Sequence, residues 1–291
     1  MLLLVPNISE GRDRAAIDAI GAAYVAAGAV LLDTHADPDH HRSVHTLVVP
    51  DQAQIPAILT AGAREAIARI DLRSGRGLHP HVGALDVAPV VYRDISDRGA
   101  ACAAALTAAE AVGQLGLPVF LYGALAAGRT RADLRRGGTA GLQQRIDDGE
   151  LAPDFGPSRL HESGGAVLVA ARPPLVAFNV ELAHGTTLAE AKEIAATIRE
   201  GPNGEGLPGV RAIGLELVHE DGLRLVQVST NVEDHRATPL VKVVEAVAAH
   251  APVTGAELVG LAPRAAFDGF PEDVPVRHRC TLEGALEGIS S

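Results

Sequence analysis

The sequence is short of aromatic and sulfur-containing side chains. Its 291 residues include no Trp, one Met and 3% aromatic residues, although 47% are hydrophobic. The core must therefore be built mainly from Ala, Val, Leu and Ile. The length suits one large domain or two small ones.

Cysteine is scarce, and a secretion signal and long apolar runs are missing. Cys102 and Cys280 are the only cysteines and stand in no metal-binding or redox spacing, so no disulfide framework is expected. The N-terminal MLLLVPN lacks the length and basic start of a signal peptide. No apolar run reaches the about 18 residues that a membrane-spanning helix needs. These absences predict a cytoplasmic protein with no membrane partner.

Basic residues are fewer than acidic residues. The chain has 36 acidic residues against 25 Lys and Arg, a net charge of −11. Nucleic-acid binding needs a positive surface and is not expected. A small anionic ligand is still possible, because a few local arginines outweigh a distant net charge.

Hydrophobic periodicity predicts the same element order twice. In the first half, strands are expected at 1–5, 29–33, 43–49 and 85–92, and helices at 12–27 and 52–69. The polar stretch THADPDHHR is read as a turn between the second and third strands. The additional elements before the second half are a helix at 97–115, a strand at 117–123, a helix at 131–146 and a strand at 166–170.

The second half repeats this order. Strands are expected at 174–182 and 254–261, helices at 187–200 and 238–251, and a hairpin at 211–230 that turns at Glu220, Asp221 and Gly222. The order β-α-β-β-α-β is that of a ferredoxin-like unit. We therefore predict an α+β fold of two duplicated ferredoxin-like subdomains, 1–171 and 172–291, with a ligand groove between them. A short C-terminal helix is also expected.

Two polar segments hold five of the twelve histidines. The turn HADPDHHR carries His35, His40 and His41 together with Asp37 and Asp39, and the segment GLHPHVGALDV carries His79, His81 and, further on, Asp86. Histidine both donates and accepts protons near neutral pH, which suits acyl or imidoyl transfer. Hydrogen-bonded surface histidines are the plainer interpretation.

Imidazole and carboxylate together are also ligands for Zn, Mn or Fe. No helix-borne motif such as HExxH is present, so a metal is not expected. A metal-dependent hydrolase stays open as an alternative, built from His35, Asp37, His40, His41, His79 and His81.

Two arginines and one loop are further candidates for ligand contact. Arg42 and Arg172 could hold an anion through paired hydrogen bonds, and a surface ion pair is an equal alternative for each. The loop PDFGPSRLHESGGA either presses rigid backbone against a flat ligand or simply connects two elements.

Eight stretches, in order along the chain, resemble the formiminotransferase family. They are VPNISEG at 5–11, LLD at 31–33, HRSVHT at 41–46, HPHVGALDVAP at 79–89, LPVFLYG at 117–123, LAPDFGPS at 151–158, AFNVEL at 177–182 and QVSTNVED at 227–234. The family fold of two ferredoxin-like subdomains agrees with the predicted element order. No cyclodeaminase portion is expected after the second unit.

The resemblance implies transfer of the formimino group of N-formiminoglutamate to N5 of tetrahydrofolate. It places the catalytic histidine at His79, with Asp37 or Asp39 stabilising the positive amidine. Substrate contacts fall on Arg42, His41, His81 and Arg172, and the folate-contacting loop supplies Gly156, Pro157, Ser158, Gly164 and Gly165. It further implies a homodimer and a setting in histidine degradation.

Three positions depart from the family pattern. His41 stands where Asn usually precedes Arg42, His81 stands for the Arg of HPR, and His35 stands where Asp is usual. Loss of Arg at position 81 changes how a glutamate carboxylate is held. A related folate-dependent formyl transfer, or folate binding without turnover, therefore stays open.

Overall fold

The computed structural model describes residues 1–74, 80–218 and 224–290. Within these ranges the chain is an α+β protein with two β-sheets and eight α-helices. It divides into two compact units, Met1–Pro173 and Pro174–Ser291, called here the first and second units. Among the described residues, no helix is long and apolar enough to cross a membrane.

The first unit has a seven-stranded sheet. Its strands are β1 (Leu2–Leu4), β2 (Asn7–Ile8), β3 (Val30–Asp37), β4 (Arg42–Val49), β5 (Leu85–Tyr92), β6 (Val119–Leu121) and β7 (Val167–Arg172). β1 and β2 both lie between β4 and β5, with β3 outside β4 and with β7 and then β6 beyond β5. β5, β7 and β6 run parallel, and the other pairs are antiparallel.

Helices pack on both faces of this sheet. They are α1 (Arg14–Ala26), α2 (Ile55–Arg69), α3 (Arg98–Gly113), α4 (Arg131–Arg135) and α5 (Gly138–Asp147). The main core lies between one face and α1 to α3, and it includes Tyr24 and Leu47. A smaller core joins Leu134 of α4 and Leu142 of α5 to Leu168 on the other face. The N-terminus of α1 is capped by Asp13, whose side chain accepts from the N–H of Ala16 at 3.1 Å.

The second unit is simpler. Its strands are β8 (Val176–Leu182), β9 (Val210–Val218), β10 (Arg224–Val232), β11 (Val253–Val259) and β12 (Val276–Arg277), and its helices are α6 (Leu188–Ile198), α7 (Leu240–Ala248) and α8 (Leu282–Ser290). The sheet order is β12-β11-β8-β10-β9. One core contains Phe178, Ile194 and Val244, from the sheet, α6 and α7. α8 confirms the expected C-terminal helix. The predicted hairpin turn at Glu220, Asp221 and Gly222 lies outside the described residues.

Two local predictions were wrong. β3 continues through Asp37, which pairs with Arg42 of β4, so half of the expected polar turn is strand. Hydrogen bonds between backbones form a strand whatever the polarity of its side chains. The polar side chains of this segment therefore led to the wrong prediction of a turn. The single helix expected at 131–146 is two, because Gly137 and Gly138 take φ of 79° and 64°, outside the right-handed helical region.

Candidate active site

A β-bulge on β5 places Asp86 in the polar site of the first unit. Asn7 pairs with Val87 and the next residue, Ile8, pairs with Leu85, so Asp86 is the extra residue on its strand. A bulge breaks the simple alternation of side chains and re-aims the inserted one. The side chain of Asp86 is 0% exposed, so the bulge turns a carboxylate into the interior.

Groups from separate chain segments contact that carboxylate. Asp86 Oδ2 accepts from Arg42 Nη1 at 3.1 Å and from Arg135 Nη2, and Oδ1 accepts from the N–H of Val82 at 2.9 Å. Arg42 also donates from Nε and Nη2 to Asn7 Oδ1, at 3.1 and 2.6 Å. We call Asn7, Arg42, Asp86 and Arg135 the arginine network. It ties β2, β4, β5 and α4 together beside the segment that begins at Pro80.

The electrostatics of the network favour an anion. Burial, opposed by the charge and hydrogen bond of Asp86, lowers the pKa of Arg42 to about 10, and repulsion from Arg135 and Arg131 contributes to the lowering. Arg42 is therefore still protonated at neutral pH. A carboxylate ligand placed here would relieve the repulsion among the guanidinium groups.

Asp37 organises the turn between β3 and β4. Its Oδ1 accepts from the N–H groups of Asp39 and His40, each at 2.9 Å, and its Oδ2 hydrogen-bonds to His40 Nδ1. Burial raises the pKa of Asp37, but the hydrogen bonds and charge of His40, with the N–H of Asp39, outweigh burial and leave it lowered. Asp37 is therefore an ionised carboxylate at neutral pH, and it also holds the turn through these hydrogen bonds.

The segment that leads into α1 lies against the same turn. Gly11 passes so close that a Cβ there would be 2.1 Å from the carbonyl oxygen of Asp37. Glu10 Oε1 accepts from the N–H of Arg12 at 2.7 Å and lies 3.4 Å from His41 Nδ1. His41 adopts φ of 51°, in the left-handed region. The motif VPNISEG is thus explained in part by packing against the turn.

The glycine-rich loop is joined to the segment that follows His81. Gly164 O accepts from the N–H of Ala84 at 2.9 Å, and Val82 O accepts from that of Ala166 at 2.9 Å. Gly83 has no room for a side chain, since a Cβ would be 1.8 Å from Ala166 O. Ser9 Oγ donates to Gly83 O at 2.7 Å. His79, the predicted catalytic residue, lies outside the described residues, as does Gly77.

The glycines predicted to contact folate are required by the protein's own backbone. Gly156 has φ of 80°, and a Cβ on it would lie 2.3 Å from Leu117 O. Gly165 has φ of 65°, and a Cβ there would lie 2.1 Å from Val82 O. Gly164 donates its N–H to His161 Nδ1 at 3.0 Å. Gly156, Pro157 and Ser158 are exposed, whereas Gly164 and Gly165 are buried. The loop is held in one path, and its exposed part is what a ligand could reach.

The other predicted residues are placed as follows. His35 lies on β3 opposite Val44 and is 9% exposed, and His81 is partly buried. Arg172 pairs with Val91, four residues along β5 from the Val87 that pairs with Asn7. That is a separation of about 13 Å at the usual strand rise. Within the first unit, Arg172 is therefore not brought together with the arginine network.

Among the residues that the structure describes, the histidines and carboxylates of the proposed metal cluster do not converge as ligands. In the described ranges, no group of three or more His, Cys, Asp or Glu side chains is arranged to hold a metal ion. His79, one member of the cluster, falls outside them. Both cysteines are free thiols.

Sequence reasoning missed two members of the arginine network. Asn7 lies in a matched motif but carries no chemical signal of its own, and Arg135 lies in the run TRADLRRGG among several arginines. Only the fold singles them out. Together these features define an α+β protein with an arginine-rich polar site and a neighbouring loop whose glycines have no room for a side chain.

Comparison with known proteins places that architecture. The family model described as the formiminotransferase domain, N-terminal subdomain, matches residues 1–172, and the model described as the formiminotransferase domain matches 177–269. The chain belongs to the formiminotransferase family, which confirms the resemblance drawn from its motifs.

Individual relatives agree. A formimidoyltransferase-cyclodeaminase of Sus scrofa is 40% identical over 277 residues, covering 89% of this chain and 49% of that protein. A glutamate formimidoyltransferase of Streptococcus pyogenes serotype M1 is 35% identical over 90% of this chain and 89% of its own. One of Thermoplasma acidophilum is 34% identical over 90% and 88%. The chain thus spans about half the length of the cyclodeaminase relatives and most of the length of the two glutamate formimidoyltransferases.

Proposed function

We propose that this protein transfers the formimino group of N-formiminoglutamate to N5 of tetrahydrofolate, giving 5-formiminotetrahydrofolate and glutamate. Relatives of matching length named glutamate formimidoyltransferase support the reaction. The structural observation that carries it is the arginine network, a buried positive site suited to a carboxylate substrate. Tetrahydrofolate is the second substrate.

The chemistry assigned to His79 is proton transfer. N5 of tetrahydrofolate attacks the formimino carbon, and His79 takes the N5 proton. A tetrahedral intermediate forms, its bond to the glutamate nitrogen breaks, and glutamate leaves as an amine that receives a proton from the same histidine. Asp86 binds the N–H of Val82, three residues after His79 in the sequence, and so anchors the segment that follows.

The remaining roles follow from charge. Arg42, with Arg135 beside it, is proposed to hold a carboxylate of the donor, and His41 and His81 line the same end of the first sheet. The ionised Asp37 supports a role in stabilising the positive amidine, with Asp39 next to it on the turn. Folate contacts are proposed at the exposed Gly156, Pro157 and Ser158, with the buried Gly164 and Gly165 holding the loop that presents them. The substrate role of Arg172 stays a prediction.

The fold and assembly are proposed in more detail as well. We infer two ferredoxin-like subdomains, 1–171 and 172–291. Numbering four strands of each unit in chain order, with β1 and β2 counted as one, both sheets read 4-1-3-2, which supports the inference. A cytoplasmic homodimer is proposed from the family resemblance.

The test is a His79→Ala protein assayed with both substrates. General acid–base catalysis contributes on the order of 10² to 10⁴ in rate, so kcat should fall by at least about a hundredfold while the protein stays folded. His250→Ala, at an exposed histidine of the second unit, is the matched control. Full transfer by a folded His79→Ala protein would remove the assignment. A wild-type protein that accepts only N-formylglutamate would replace formimino transfer by formyl transfer.

A further inference from the structure

Tyr122 lies directly after β6, beside the helix that carries part of the arginine network. It belongs to the smaller core of the first unit, together with Leu134 of α4. Its backbone N–H donates to Val169 O at 3.0 Å, which fixes the residue at the end of the strand. Arg131, the first residue of α4, lies over its ring, with the guanidinium carbon 5.9 Å from the ring centroid. Such a contact between a cation and an aromatic face is attractive. Tyr122 is therefore held against α4, which also carries Arg135.

The hydroxyl of Tyr122 is buried without a partner. Tyr122 is 6% exposed, and no described residue forms a hydrogen bond with its Oη. Burying an unpaired hydroxyl is destabilising, and phenylalanine would fill the same space without that cost. The Nε of Arg135 is also buried and has no partner among the described residues. Two hydrogen-bond donors beside α4 are therefore available to an acceptor group on a ligand.

A buried tyrosine hydroxyl is not by itself a sign of a ligand. The hydroxyl of Tyr24 also has no partner in the described part of the chain, but Tyr24 is 0% exposed. It lies against Gly62 and the ring of His45, inside the main core. Tyr122 differs because a guanidinium group, that of Arg131, lies against its ring. The surroundings of Tyr122 are therefore charged, and those of Tyr24 are not.

Three guanidinium groups lie near one another beside Tyr122. Arg131 and Arg135 are one helical turn apart on α4, so their Cβ atoms are about 5 to 6 Å apart on the same face. Repulsion from both contributes to the lowered pKa of Arg42. Arg42 and Arg135 share the carboxylate of Asp86, and their side chains are 11% and 12% exposed, so this cluster reaches the surface. An anion with two charges would be held here more strongly than an anion with one.

The spacing of these arginines matches a dicarboxylate. The two carboxyl carbons of a glutamate are joined through three other carbons, and they are about 5 Å apart when the chain is extended. Resting on the reaction proposed above, we propose that Tyr122 Oη and Arg131 bind the second carboxylate of N-formiminoglutamate, while Arg42 and Arg135 hold the first. Tyr122 then selects a dicarboxylate donor over a monocarboxylate. It also gives a function to the motif LPVFLYG, from which the proposed reaction uses no residue.

The test is Tyr122→Phe, which keeps the ring and removes only the hydroxyl. The KM for N-formiminoglutamate should rise about tenfold, a loss of about 1.4 kcal/mol, because a hydrogen bond to a carboxylate is lost. The kcat and the KM for tetrahydrofolate should stay near their wild-type values. The Tm should be unchanged or higher, since an unpaired buried hydroxyl is removed. Arg131→Gln should raise the same KM by a similar factor.

Two monocarboxylate analogues of the donor identify the contact. N-formiminoglutamine lacks the side-chain carboxylate, and 4-(formiminoamino)butyrate lacks the other carboxylate. Each is measured as a substrate or as a competitive inhibitor of the wild-type protein and of Tyr122→Phe. The penalty of Tyr122→Phe should persist with one analogue and disappear with the other, which lacks the carboxylate that Tyr122 binds. A penalty that persists with both, or that disappears with both, would overturn the proposal.

Tyr24→Phe is the matched control. It also removes a buried hydroxyl that has no partner among the described residues, but from the main core of the first unit. This variant should leave both KM values unchanged. An equal rise in the KM for the donor in the two variants would overturn the proposal, as would an unchanged KM in Tyr122→Phe. A raised KM for tetrahydrofolate alone would also overturn it, because Tyr122 would then contact the glutamate tail of the folate.

Calorimetry with N-formylglutamate, in the absence of folate, separates this proposal from the reaction on which it rests. A wild-type protein that transfers no formimino group but binds N-formylglutamate, with a Kd raised about tenfold in Tyr122→Phe, would defeat the proposed reaction and leave the dicarboxylate contact standing. Normal transfer by Tyr122→Phe with an unchanged KM would defeat only the contact. A wild-type protein that neither transfers the formimino group nor binds N-formylglutamate would defeat both.

Discussion

Asp86 and Arg42 form a buried ion pair, with Oδ2 of the carboxylate 3.1 Å from Nη1 of the guanidinium. The Asp86 side chain is 0% exposed and that of Arg42 11%. Breaking such a pair leaves an uncompensated buried charge, so its loss costs more than the pair itself contributes. The pair therefore stabilises the fold of the first unit and also belongs to the arginine network.

Replacing Asp86 by Asn should be strongly destabilising. Arg42 and Arg135 would face each other without the carboxylate that both contact. The free energy of unfolding should fall by about 3 to 5 kcal/mol, measured by urea denaturation. Glu162→Gln is the control, because its pair with Arg73 is at the surface with Glu162 82% exposed, and it should cost at most about 1 kcal/mol. Equal stability of the two variants would show that the buried Asp86 carboxylate does not stabilise the fold.

Replacing Arg42 by Lys should weaken donor binding. Arg42 uses three nitrogens to join Asn7 Oδ1 and Asp86 Oδ2, and a lysine ammonium cannot reproduce that planar fork. The KM for N-formiminoglutamate should rise about tenfold or more, corresponding to at least about 1.4 kcal/mol, in steady-state assays. Arg136→Lys, whose side chain is 68% exposed, should leave the KM near its wild-type value. An unchanged KM in Arg42→Lys would remove Arg42 from the donor site.

Adding a methyl group at Gly83 should disrupt the glycine-rich loop. The new Cβ would meet Ala166 O at 1.8 Å, and neither backbone can yield without breaking the pairing between Ala166 N and Val82 O. Gly83→Ala should lower the free energy of unfolding by about 3 kcal/mol and weaken folate binding. Gly99→Ala in α3 should be neutral or slightly stabilising, because beyond its own helix backbone no atom of the described residues lies within 4 Å of the added carbon. A fully stable Gly83→Ala protein would show that the loop is not locked.

Stability should depend on pH through His45. Burial lowers the pKa of His45, which the hydrogen bond to Ile17 O only partly opposes. As pH falls below about 6.5, the unfolded chain takes up a proton that the folded chain resists, so stability declines. One such group contributes a slope of at most about 1.4 kcal/mol per pH unit.

The measurement is the free energy of unfolding between pH 7 and pH 5 for wild type and His45→Phe. The slope should be shallower in the variant, whatever its absolute stability. It should not vanish, because burial also lowers the pKa of His235. Identical slopes in the two proteins would show that His45 does not contribute to acid sensitivity.

The sequence by itself determined the element order and the family. Helices and strands leave local patterns in the sequence, so they can be predicted without knowledge of the fold. Examples are the helical spacing of Ile17, Ile20 and Tyr24 and the alternation in the strands of the second unit. The motif series in chain order identified the family before any contact was known. The same reasoning failed where polarity concealed a strand, as at Thr34 to Asp37.

Only the tertiary structure decided which side chains meet. Arg42 lies 35 residues from Asn7 and 44 from Asp86, and Arg135 lies 49 from Asp86. A one-residue bulge turns Asp86 inward, and neither composition nor spacing encodes it. Likewise, Gln227 reads as an ordinary polar strand residue, and only the assembled sheet shows that it is fully buried with no hydrogen-bond partner among the described residues. Register and burial are collective properties of several strands, and for that reason they cannot be read from one stretch of chain.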